Sequence, residues 1–369
     1  MNHGRLALLS LGGLALLAGL TGSLALLGFG VPEGVRQLAV GHGLLMALGF
    51  LGTMIALERA VALGARWAYL SPLASGLAGI SLIVGAPPAL TSVLLLAGGL
   101  VFVAMYVAFD RIEIALHTRI QAVGGIAWVV AALIALIGRP VSTIVPWLTA
   151  FLVLVIAGER LELSRLGPLA PSARQTFVGA VALFMAGVAL TLPLPDAGIR
   201  LAGIGLLAVT AWLVAHDLAR RTVRMAGVTR FIALSLLIGY GWLAVAGSSW
   251  VAFGADGGAA YDAQLHAVFL GFVISMVFGH APVIVPAVLR VPLPYRQRFY
   301  VHLGLLHTGL LVRVIGGDLL GVQLLWQVGG ALNVAALLLF VTSSAVAVLE
   351  GLAARRSASA RSARAPAVP

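Results

Sequence analysis

Residues 141–158 read VSTIVPWLTAFLVLVIAG, and the next two are Glu159 and Arg160. None of the first eighteen carries a charge. As a helix this run is about 27 Å long, close to the ~30 Å hydrocarbon core of a bilayer. A soluble helix of that length needs a charged face, and this one has none. The stretch therefore reads as a membrane-spanning helix that ends in an acid–base pair.

Runs of the same kind recur along the 369-residue chain, which is 61% hydrophobic and only 9% charged. They predict an all-α polytopic membrane protein with about twelve spans. These lie at 6–28, 39–57, 68–86, 89–109, 119–138, 141–158, 175–194, 199–215, 229–250, 263–285, 299–320 and 324–349. Pro87-Pro88 divides the third span from the fourth, and Gly138-Arg139-Pro140 the fifth from the sixth. The first run is too long and too weakly flanked for a cleaved signal peptide. Residues 1–350 form one transmembrane domain, and 351–369, with Arg355, Arg356, Arg361 and Arg364 among Ala, Ser and Pro, read as a disordered basic tail.

This composition excludes a cytosolic enzyme, a nucleic-acid binder and a secreted disulfide scaffold; the partner it implies is the lipid bilayer. There is no cysteine, so thiolate metal sites, iron–sulfur clusters and covalent haem attachment are also excluded. All 23 basic residues are arginine. With twelve spans, 19 fall on the side shared by the termini, and Arg36, Arg139, Arg200 and Arg313 on the other. Arginine near helix ends stays cytoplasmic, which predicts cytoplasmic termini in a bacterial-type inner membrane. The helix-end pairs Glu58-Arg59, Asp110-Arg111 and Glu159-Arg160, with Asp217 and Arg220, read as interfacial pairs with snorkelling arginines.

Histidines inside a bilayer need an explanation. His3, His117 and His216 fall in a tail or near helix ends and are expected in water, whereas His42, His266, His280, His302 and His307 fall within spans. His42 and His266 each lie about four residues into inward-running spans, so they share a depth. Two neutral imidazoles at one depth suit axial ligation of a haem iron; unrelated histidines bonded to carbonyls give the same pattern. His266 and His280 are separated by ~40° and ~21 Å on an ideal helix, which suits one helix serving two metal centres. The second centre would join His280 to His302 or His307, holding haem, copper or zinc. Arg313 falls within ~20° of the His302 face, at the depth of His266, where it suits a haem propionate or a pair with Asp318. His307 is ~140° from His302, so only one of the two faces such a centre. Tyr240, Trp242, Gln323, Gln327 and Asn333 read as helix–helix contacts. Pro282 and Pro286 are expected to break the tenth span.

The stretch His42-Gly-Leu-Leu-Met46-Ala-Leu-Gly49-Phe50 resembles the second-helix motif of NnrS-type membrane haem proteins, which accompany nitric-oxide metabolism. The stretch His266-Ala-Val-Phe-Leu-Gly271 through Met276 and Gly279-His280 resembles that family's later histidine helix. The family is in turn similar to the twelve-helix subunit I of haem–copper oxidases. The resemblance implies an oxidase-subunit-I-like bundle, with His42 and His266 as axial ligands of one haem, of b-type, near the outer face. It implies redox or nitric-oxide- or oxygen-related function as a membrane oxidoreductase, and an electron-donor protein or quinol as partner. The motifs differ in that Leu44 and Leu45 stand where the NnrS type has a second histidine and an acid. Residues 141–158 and 175–194 hold no histidine, so the likeness does not extend to the oxidases' copper-containing centre. Two other classes fit the residues: a secondary transporter with intramembrane histidines, and a structural subunit whose histidines join helices. The topology carries a direct test. Reporter fusions at the C-terminus and in the 251–262 loop are expected on opposite sides of the membrane, the C-terminal one inside.

Overall fold

The computed structural model describes residues 3–164, 170–255 and 258–364, with side chains described as far as 357. Among these it is helical throughout and contains no strand. Its long helices are α1 (His3–Leu26), α2 (Glu33–Leu63), α3 (Leu70–Ile83), α4 (Pro88–Ile112), α5 (Leu116–Leu136) and α6 (Val141–Leu163). The second half holds α7 (Pro171–Leu190), α8 (Pro195–His216), α9 (Gly227–Phe253), α10 (Ala259–Leu289), α11 (Phe299–Leu319) and α12 (Gln323–Arg364). Eleven are long and apolar enough to cross a membrane, which makes this a multi-pass helical bundle.

The exception is α3, expected over 68–86. It is a 14-residue helix preceded by a tight turn at Arg66–Tyr69. Its far end stops at Gly85, whose φ of 68° takes the chain into Pro87-Pro88. At ~21 Å it is shorter than the bilayer core. Ser71 and Ser75 tie it to its neighbours by donating to the carbonyls of Gly98 and Leu48, both at under 3 Å (2.8 and 2.7 Å).

The helices alternate in direction, which collects their ends into an arginine-rich and an arginine-poor face. At the first, Arg5 donates to Tyr69 Oη and the Val288 carbonyl, and Arg296 and Arg298 both bind Glu350. At the second, Arg200 donates to the carbonyls of Val251 and Ala252, and Gln327 to that of Leu27. Helix α6 is the axis of the bundle: every residue from Ile144 to Gly158 is buried.

Two further expectations change. Pro282 and Pro286 sit inside α10, which continues to Leu289 and ends with Arg290 left-handed at φ 59°. Neighbouring helices tolerate such prolines in a membrane bundle. At the C-terminus α12 runs on to Arg364, so the expected disordered tail is helical that far; 365–369 lie outside the described residues. Ala and Arg are strong helix formers, and extending an existing helix carries no nucleation cost.

Helices α1 and α2 meet through glycine. A Cβ on Gly22 would lie 2.3 Å from the Leu38 carbonyl oxygen, and one on Gly19 would lie 2.7 Å from Met46 Sδ. Gly22→Val should therefore force the helices apart and cost about 1–3 kcal/mol. Gly13→Val, where a Cβ meets nothing within 4 Å, should leave the melting temperature unchanged. Thermal melts of the two purified variants check this.

Candidate functional site

His42 reaches across to α1, where its Nδ1 donates to the Gly19 carbonyl at 2.8 Å. The glycine contact between these helices is what lets the ring approach that oxygen. His266 does the same within its own helix: Nδ1 donates to the Asp262 carbonyl at 2.9 Å and lies 3.3 Å from Asp262 Oδ1. A carbonyl can only accept, so in both rings Nδ1 carries a proton, and in the neutral imidazole the lone pair is then on Nε2. Neither Nε2 has a hydrogen-bond partner among the described residues.

Both imidazoles line one cavity at the arginine-poor end, which also takes Arg313 in its wall. It is a cavity of about 140 Å³, partly open to the outside. Its walls come from six helices and are mostly aliphatic, with Leu20, Met46, Leu148, Phe269, Ile274 and Val334 among them.

Arg313 is not paired with Asp318. It holds Asp262 with both arms of its guanidinium, Nε to Oδ2 and Nη2 to Oδ1, each at 2.9 Å. The guanidinium also stacks on Trp326, 4.9 Å from the ring centroid, and Trp326 Nε1 donates to Asp262 Oδ2 at 3.1 Å. Helix α12 comes this close because Gly329 and Gly330 face Arg313, where a Cβ would lie 2.5 Å from its backbone nitrogen and 2.9 Å from its Nη1. Asp262 is the residue that sequence reasoning missed. Its signal was available: an acid one turn before a membrane histidine, at i and i+4.

All three cavity residues sit at π-helical segments. Leu45–Gly52 follows His42, Ala267–Ile274 begins directly after His266, and Val312–Leu319 contains Arg313. The π-helix is rare and concentrates at functional sites.

The other three histidines of the spans each have surroundings of their own. His280 donates from Nδ1 to the Met276 carbonyl, and its Nε2 faces Arg160 Nη1 at 3.4 Å. His307 accepts from Trp242 Nε1 at 3.1 Å, and its Nε2 meets Ser275 Oγ at 3.3 Å. His302 is fully buried, with both nitrogens unpartnered, against Phe278, Phe299 and Phe340. Among the described residues no group of three or more His, Asp or Glu is arranged to hold a metal ion.

One model of a protein family matches residues 5–349, that of a domain of unknown function, DUF8744. The chain belongs to the DUF8744 family. No curated protein and no solved structure matches it.

In this DUF8744 chain the arginine-rich end holds a second polar assembly, where interfacial pairs were expected. Arg59 bridges Glu58 at 2.7 Å and Glu159 at 3.2 Å. Arg160 clamps Asp217 by Nε at 2.7 Å and Nη2 at 3.0 Å. Asp217 also accepts from Tyr240 Oη at 2.5 Å and the Ala219 amide at 2.7 Å. Asp110 pairs with Arg119 rather than Arg111, and Arg220 caps the Ala215 carbonyl. His117 is buried beside Glu162 at 3.8 Å, not solvated, whereas His216 stacks on Trp212 at its helix end.

Asp217 lies just past the end of α8. Burial works against its charge, but Arg160, Tyr240 and the Ala219 amide hold its carboxyl below the usual range. A depressed folded pKa stabilises above the unfolded value of ~3.9 and loses that contribution as pH falls. Asp217→Asn leaves Arg160 buried without its counter-charge, and should cost about 3–5 kcal/mol at pH 7. The difference from wild type should shrink as pH drops through the carboxylate range, which thermal melts across pH will show.

Proposed function

We propose that this chain is a haem-binding integral membrane protein in which His42 and His266 are the two axial ligands. One observation carries the reading. Two imidazoles from separate helices line one largely apolar cavity, each with Nδ1 fixed by a carbonyl and Nε2 free. That is the state a metal-ligating histidine requires, with one nitrogen oriented by a neighbour and the other available to iron.

The donor set fits a bis-histidine haem better than a bare metal ion, since among the described residues no third ligand joins the pair. Asp262 holds His266 on the Nδ1 side, as carboxylates do behind metal-bound histidines. Two arms of Arg313 are engaged by Asp262, so Nη1 is what remains for a propionate. A bound haem would supply one-electron transfer or gas binding, in line with the nitric-oxide- or oxygen-related role that the NnrS resemblance implies. Orientation with both termini in the cytoplasm puts this cavity near the outer face.

A secondary transporter is the second reading. The buried Glu58–Arg59–Glu159 and Arg160–Asp217 groups favour it, because intramembrane ion pairs commonly mark ion pathways.

The absorption and EPR spectra of protein purified from haem-replete cells separate the two. The wild type should show a Soret band and a low-spin signal. His42→Ala and His266→Ala should each turn the haem high-spin or lose it. Asp262→Asn should stay low-spin but hold haem about 10–100-fold more weakly. A colourless wild type overturns the haem reading in favour of transport.

A further inference from the structure

A second cavity opens at the arginine-poor end, beside the histidine cavity. Its volume is about 210 Å³, and Val145 and Leu265 belong to the walls of both. Its lining differs in kind. Arg139 is the only charged residue there among the described residues, and no carboxylate lines it. The guanidinium makes no ion pair or hydrogen bond among the described residues. The nearby Asp196 is already engaged by Arg200 at 2.9 Å and by the Ala255 amide at 3.2 Å.

Arg139 stands two residues before helix α6, and Ser142 and Thr143 in its first turn line the same cavity. The free amides of a helix start and its dipole favour an anion, and here a cation and two hydroxyls are added. The opposite wall offers different chemistry. Gln264 is only 3% exposed, and its Nε2 donates to the carbonyls of Ser249 and Gly254 at 3.3 Å each. This leaves its Oε1 as an acceptor on a residue of the cavity wall, which also holds Tyr261 and the buried Trp250. A ligand matched to both walls carries a single anionic group at one end and hydroxyl donors at the other.

We propose that this cavity binds a hydroxylated phosphate or carboxylate, its anionic group on Arg139 and the start of α6 and a hydroxyl on Gln264. A polyol phosphate in solution and the glycerophosphate headgroup of an anionic lipid share that chemistry. The site is independent of the haem reading, and a colourless preparation serves equally to test it.

The test is calorimetric titration of delipidated full-length protein with sn-glycerol 3-phosphate and, separately, inorganic phosphate. Saturable binding of glycerol 3-phosphate is expected. Arg139→Gln should weaken both probes at least about tenfold, the loss of one charged hydrogen-bonding partner. Gln264→Leu should weaken glycerol 3-phosphate by about tenfold while leaving phosphate unchanged. Arg139 is exposed and has no ion pair among the described residues, so its variant should fold as the wild type does, which a thermal melt confirms. Repeating the titration in phosphatidylcholine nanodiscs with and without phosphatidylglycerol identifies the source. Competition by phosphatidylglycerol supports the site with a lipid headgroup as occupant, and its absence supports the site with a soluble one. No saturable binding of either probe by the wild type, or equal binding by Arg139→Gln, overturns the proposal.

Discussion

Hydrocarbon offers no hydrogen bonds, so a polar atom carried into the bilayer gains by finding its partner on the same chain. That constraint organises this protein. It ties Nδ1 of His42 to a backbone carbonyl of another helix, and Nδ1 of His266 to its own. It places a bidentate arginine and an indole on Asp262 beside the cavity. Glycines supply the close approach these contacts need, because Gly19 and Gly22 admit α1 to α2 and Gly329 and Gly330 admit α12 to Arg313. Small residues at helix contacts are thus the means by which the polar atoms are satisfied, as well as a way of packing.

The two polar assemblies answer the same constraint differently. At the arginine-rich end, charges neutralise one another across helices, with Arg59 on Glu58 and Glu159 and Arg160 on Asp217. In the histidine cavity two ring nitrogens are left over, facing a space that no side chain fills. A buried donor or acceptor without a partner is costly. A ligand that takes up both nitrogens at once would remove that cost, which is the ground on which the haem proposal looks to the cavity rather than to the ion pairs.

Much of this was legible in the sequence. Span lengths follow directly from apolar runs, and the common depth of His42 and His266 follows from counting residues from a helix end. Arg313 could be placed in the same leaflet by the same counting. Angular counting also put Arg313 beside His266, and both line one cavity. What it did not foresee is the pair of eight-residue π segments that interrupt α10 between His266 and His280 and α11 at Arg313. Partner choice was also illegible. Arg59 and Arg160 sit where an interfacial pair would, and nothing local says that Glu159 and Asp217 come to meet them from other helices. The short third helix escaped because a 3-10 turn and a glycine turn are apolar in composition.

The π segments also change what these helices are. A π turn holds more residues than an α turn, so α2 behaves as two helices joined with a phase offset, one carrying His42 and the other Glu58 and Arg59. The two ends answer to separate demands: one must present an imidazole to a cavity, the other must bring a guanidinium to α6. A straight α-helix would couple those orientations rigidly, so that any turn of one end turned the other by the same angle. With the offset in between, a single-residue insertion or deletion inside Leu45–Gly52 resets one end against the other by about 100° while both stay helical. The ligand-facing half of the molecule can therefore diverge by small changes in length, without disturbing the ionic half that holds the bundle together.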